Sequence, residues 1–164
     1  MNISMIMIHG LILSVLASGF IIITLRINPR IWLQDYPPDI QAQVPPKTEK
    51  EQKLSLALGI PFLLLLLVVP LVSTLALKNQ YQGEVPFYFL AIHAFGVMFI
   101  FNVFDWLILD WLLFCTITPG FLVIPGSENS AGNKNYWYHF RGFLIGTAFS
   151  AAAGLITGVI VWLL

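Results

Sequence analysis

The sequence predicts an all-α integral membrane protein, a four-span transmembrane helical bundle with an interfacial or re-entrant extension after the third span. Three observations carry this. Hydrophobic residues make up 58% of the 164-residue chain and charged residues only 10%, against about 25% charged in an ordinary soluble domain. Four apolar stretches are each long enough to cross a hydrocarbon core, which takes about 20 helical residues. Lysine and arginine gather on alternate connections between those stretches, as in polytopic membrane proteins. The whole chain, 1–164, is read as a single membrane domain.

The first span is expected at about residues 5–25. Ala17-Ser18-Gly19 faintly resembles a signal-peptide cleavage site, but no basic residue precedes the apolar run and Arg26 and Arg30 follow it, so a retained span is expected. Asn28-Pro29 should end the helix, because proline pushes its predecessor out of helical geometry. The connection 26–53 then carries Tyr36-Pro37-Pro38 and Val44-Pro45-Pro46, which favour extended, polyproline-like backbone. Thr48 and Glu51 have the spacing of a capping box, so the second helix should begin in water ahead of its apolar part at about 54–77. Pro61 and Pro70 lie inside that helix, and a kink is expected at Pro70.

The third apolar run starts near Pro86 and continues to Ile124. One helix of that length would be about twice as long as the hydrocarbon core is thick, at ~1.5 Å per residue. A span at about 87–104 with an extension to 118 is therefore expected, ending at Pro119-Gly120. That extension holds Asp105-Trp106 and Asp110-Trp111. An aspartate within hydrocarbon costs ~2.5–3.5 kcal/mol, so the pair should lie at the membrane boundary with the tryptophans as anchors. A polar connection, 125–140, follows; Gly126 to Asn133 is expected to be flexible, and Tyr136-Trp137-Tyr138 to form an aromatic belt. The fourth span is expected at about 143–164.

Charge sets the orientation. Arg26, Arg30, Lys47, Lys50 and Lys53 lie on the first connection, Lys134 and Arg141 on the last, and Lys78 alone on the opposite side. The positive-inside rule then places both long loops in the cytoplasm and both termini outside. A bacterial plasma membrane is the expected location.

Three groups of residues are candidates for function. Gly142, Gly146, Ser150, Gly154 and Gly158 recur every four residues, a small-residue surface that lets a second helix approach closely. It serves packing within the chain or association with itself or another membrane protein. Asp105 and Asp110 fall within an arc of about 140° on an α-helix, and His139 and Arg141 enter the fourth span from the same side. This cluster offers a salt bridge between the third and fourth helices, a catalytic acid–base or metal-assisted site, or an ion pathway. His9 and His93 come to similar depth near the other face, where they could share structural polarity or ligate a haem iron.

The leading expectation is a small polytopic subunit or helix-packing partner in a membrane complex. The alternatives are a membrane-embedded enzyme or binding protein for a lipid-like substrate, and a haem-binding or ion-handling protein. A single cysteine, Cys115, excludes an intrachain disulfide and a multi-cysteine metal site, and no metal centre is predicted. There is no Gly-rich phosphate loop, Gly-x-Ser-x-Gly elbow or His-Glu-x-x-His pair. Zero net charge and the lack of a basic stripe argue against a nucleic-acid partner.

Overall fold

The computed structural model describes residues 2–164. Those residues form helices α1 (Ile3–Ile27), α2 (Pro38–Gln43), α3 (Glu49–Gln80), α4 (Phe87–Phe104) and α5 (Tyr136–Leu163), with no strand among them. A 3-10 turn at Pro29–Asp35 precedes α2, and another at Ala131–Lys134 precedes α5. Four helical rods, Ile3–Ile27, Glu49–Gln80, Phe87–Ile117 and Tyr136–Leu163, are long and apolar enough to span a membrane. Their outward faces present Ile, Leu, Val and Phe side chains, as a lipid-facing surface requires.

Local chemistry explains the boundaries. The Asn2 side chain accepts from the Met5 N–H and opens α1. Asn28 closes it and caps the 3-10 turn by accepting from the Arg30 N–H at 3.0 Å. Thr48 and Glu51 form the expected capping box at the start of α3. The chain reverses after α3 through Gln82 (φ 54°) and Gly83 (φ 88°), both left-handed. Asn135 accepts from the Tyr138 N–H and starts α5 seven residues before its expected apolar onset.

Helix α4 is the centre of the bundle, packed along α5 and along α1. A Cβ at Gly154 would come 2.8 Å from the Phe95 backbone nitrogen, and one at Gly158 would come 2.8 Å from the Ala91 Cα. The backbones therefore meet where only glycine fits. Along the α1 seam the Ile100 and Ile6 side chains fill the spaces above Gly10 and Gly96.

Beyond Phe104 the third rod continues without a break to Ile117, but as a π-helix, Asp105–Ile117. The expected extension is present in this wider coil, whose hydrogen bonds reach five residues back. It ends at Thr118, left-handed at φ 48°, whose N–H donates to Leu113 O at 2.9 Å just before Pro119.

The two long loops fold onto each other as a cap. Leu33, Tyr36 and Ile40 of the first loop pack with Leu25, Leu122 and Ile124 in one buried cluster. The Tyr36 hydroxyl donates to Leu122 O at 2.8 Å. Asp39 accepts from the Ser130 hydroxyl at 2.7 Å and from the Gly132 N–H at 2.6 Å. The segment from Gly126 to Asn133 is thus ordered rather than a flexible tether: Ser127, Ser130 and Asn133 are buried, and Asn133 Nδ2 donates to Ser127 O. Pro38 begins α2 instead of continuing a polyproline segment, since proline is well suited to a first helical turn.

Candidate functional site

The loop side of the bundle carries the acidic site. In an α-helix, residues five apart point in directions ~140° apart. In the π-helical stretch the coil is wider and residues five apart are joined by hydrogen bonds, which turns Asp105 and Asp110 toward one side of the rod, and Trp106 and Trp111 likewise. Two contacts report this register directly. The Trp106 and Trp111 rings meet edge to face at 4.8 Å, and Thr116 Oγ1 donates to Trp111 O at 2.7 Å.

Helix α5 brings His139 to the acidic face. Asp110 Oδ1 lies 2.9 Å from His139 Nδ1, an ion pair when the ring is protonated and a hydrogen bond when it is neutral. The imidazole is 5% exposed, packed against Phe114 at 4.8 Å and Tyr138 at 5.5 Å between ring centroids. Its Nε2 is buried with no hydrogen-bond partner, as is the indole N–H of Trp106. Asp105 lies within electrostatic reach of Asp110, His139 and Asp35. An aspartate holding one imidazole nitrogen and leaving the other free is the arrangement that orients a histidine for proton transfer.

Asp35, which sequence reasoning passed over, approaches this cluster from the first loop. Atoms crowded around its carboxyl raise it above the ordinary aspartate range, with the Asp110 charge adding to the rise and Lys47 opposing it. Its side chain is nonetheless exposed, so water screens much of this effect. Lys47 donates to Ile31 O at 2.6 Å, to Ser55 Oγ at 2.8 Å and to Gln34. Arg30 is held by Glu51 at 2.6 Å and donates to the Pro45 and Pro46 carbonyls. These two cations build the cap.

Arg141 does not join the site. Its side chain is exposed at the start of α5, and the lock between the third and fourth rods is His139–Asp110. Gly142 faces open space, whereas Gly146 meets the Asn102 side chain and Ser150, Gly154 and Gly158 are buried, the two glycines against α4. Asn102 donates through Nδ2 to Phe143 O and Thr147 Oγ1, both at 3.0 Å.

On the terminal side the structure brings His9 and His93 together through a residue not singled out by sequence. His9 Nδ1 lies 2.7 Å from Ser73 Oγ, which lies 2.7 Å from His93 Nε2. The serine hydroxyl stands between the two rings where an iron would have to sit. Among the described residues no three His, Cys, Asp or Glu side chains come together as a metal site. No family model, curated protein or solved structure matches this chain.

Proposed function

We propose that this is a small membrane protein that takes up and releases protons at the loop-side cluster of Asp105, Asp110 and His139. The observation that carries the reading is the π-helical register, which turns two carboxylates to one side of the rod and sets one of them, Asp110, against an imidazole whose Nε2 is buried and free. One imidazolium balances one carboxylate, and the other carboxylate then holds an exchangeable proton. π-helical segments occur frequently at functional sites, where they re-aim side chains. Close packing of His139 by Phe114 and Tyr138 favours a proton over a bulky lipid-like substrate.

The positive residues of the two loops support an orientation with this site facing the cytoplasm of a bacterial plasma membrane. An Asn79→Cys probe in a Cys115→Ala background should then react only from outside. A role as a complex subunit rests on the stripe of α5, and Gly146, Gly154 and Gly158 already meet α4 side chains or backbone. That leaves Gly142 and the outward alanines for a partner.

The test is proton flux in proteoliposomes with an imposed potential and an internal pH dye. The wild-type protein should acidify the lumen, and Asp110→Asn should slow this at least tenfold while keeping its helicity and monodispersity. Flux equal to that of empty vesicles would defeat the proposal. Turnover of an added lipid, lost in Asp110→Asn, would replace it with the enzyme reading.

A further inference from the structure

All three histidines of the chain lie in its two polar clusters, and two of them share one serine. The geometry of that second cluster points to a proton relay, His9–Ser73–His93, linking an open groove between α1 and α3 to the interior of the bundle. The inference rests on the proton-handling reading and supplies it with a second station. From His93 to Asp105 the third rod advances ~18 Å at ~1.5 Å per residue, so the stations lie toward opposite faces.

Four observations carry it. The two imidazole nitrogens face the same hydroxyl oxygen, each at 2.7 Å. Ser73 and His93 are buried, at 2% and 0% exposure, so bulk water does not compete for the bond between them. The far nitrogen of the inner ring, His93 Nδ1, is buried without a partner. The outer ring lines a groove of about 200 Å³ together with Ile12, Val68, Val69, Val72 and Ser73. The chain of bonds thus has one end at an opening and the other inside.

A hydroxyl has one proton to donate and lone pairs to accept with. If Ser73 donates to His93 Nε2, it accepts from His9 Nδ1–H, and His93 carries its own proton on Nδ1. A proton that adds to His9 Nε2 releases the Nδ1 proton to Ser73 Oγ. Ser73 passes its original proton to His93 Nε2, and His93 gives up the proton on Nδ1 to a water molecule inside the bundle, the ordinary partner of a buried polar nitrogen. Within the three side chains one proton enters and one leaves, and three N–H or O–H bonds form while three break. A purely structural serine staple would instead keep both rings in one fixed tautomer.

The experiment is nuclear magnetic resonance of ¹⁵N-histidine-labelled protein in lipid bilayers. In the wild-type protein the His9 and His93 ring signals should exchange between tautomers together. Ser73→Ala should uncouple them and slow exchange at least tenfold, and Ser73→Thr, which keeps the hydroxyl, should restore it. If Ser73→Ala does not fold, His9→Gln should freeze the His93 ring. Single fixed tautomers in the wild-type protein would overturn the relay. The two readings fail separately. Fixed tautomers with Asp110-dependent flux retain the loop-side function and sink the relay; coupled tautomers without flux do the reverse.

Discussion

The two ends of the bundle use the same side chain differently. On the loop side an imidazole meets a carboxylate on a π-helix, beside Trp111 and Tyr136, where the Trp111 indole donates to Tyr136 O at 3.3 Å. On the terminal side two imidazoles meet a hydroxyl, with no carboxylate in contact. Burying a charge is far more costly than burying a neutral, hydrogen-bonded group. The loop-side imidazole accordingly has a carboxylate that can balance its charge, whereas the terminal-side rings are held by hydrogen bonds to a hydroxyl alone. The partner of each histidine, acid or alcohol, is what separates the two ends.

Substitutions can break or sharpen this contrast. The largest effect should come from the seam that holds both ends in register. Gly158→Leu drives a side chain into the Ala91 backbone and should destabilise the protein by about 3 kcal/mol or more, measured by thermal unfolding in detergent. Gly142→Leu, which meets open space, should cost less than about 0.5 kcal/mol. Equal effects would mean that the glycine approaches do not hold α5 to α4.

Next, Asp110→Ala leaves both nitrogens of a buried imidazole without partners and should cost about 1–3 kcal/mol. Ser73→Ala likewise leaves both nitrogens of the buried His93 ring without partners and should cost a similar amount, about 1–3 kcal/mol. A loss below about 0.5 kcal/mol at either site would show that its hydrogen bonds do not hold that end together.

The cap over the loop side should respond to pH. The Ser130 hydroxyl, and after it the Gly132 N–H, hold the Asp39 carboxyl below its usual value near 3.8. Because the folded value is lowered, the stabilisation is present above about pH 4 and is lost as pH falls through the folded value. Proteolysis within 126–135 should therefore rise in acid for the wild-type protein. Asp39→Asn should be cut readily at neutral pH, with a loss of about 1 kcal/mol and no acid dependence. The smallest effect belongs to Arg141→Ala, expected within about 0.5 kcal/mol; a larger loss would bring Arg141 back into the site.

Much of the scaffold was legible in the sequence. Four helices long and apolar enough to span, the Asn28-Pro29 stop and the Thr48–Glu51 capping box follow from hydropathy and local backbone chemistry, and the structure has them all. The site was legible only in part. Asp105, Asp110 and His139 stood out because charge is costly among apolar residues, but the α-helical period spread the carboxylates apart. The signal for the wider coil was present as Asp-Trp repeated five residues on, at 105–106 and 110–111. Ser73 carried no such mark, since serine is unremarkable in a membrane helix and only the packing of α1, α3 and α4 reveals its two partners. The ordered cap was missed for a related reason: a polar Gly/Ser/Asn composition reads as flexible until Asp39, 91 residues before Ser130, closes on it.

The most direct test of the account is a pH-dependent infrared difference spectrum of the protein in lipid, with Asp105→Asn and Asp110→Asn as controls. The account predicts a carboxyl band and a His139 ring band that rise and fall together, with the coupling lost in Asp110→Asn. A His139 ring that titrates unchanged in both variants, or carboxyl bands that never change between acid and alkaline pH, would contradict it.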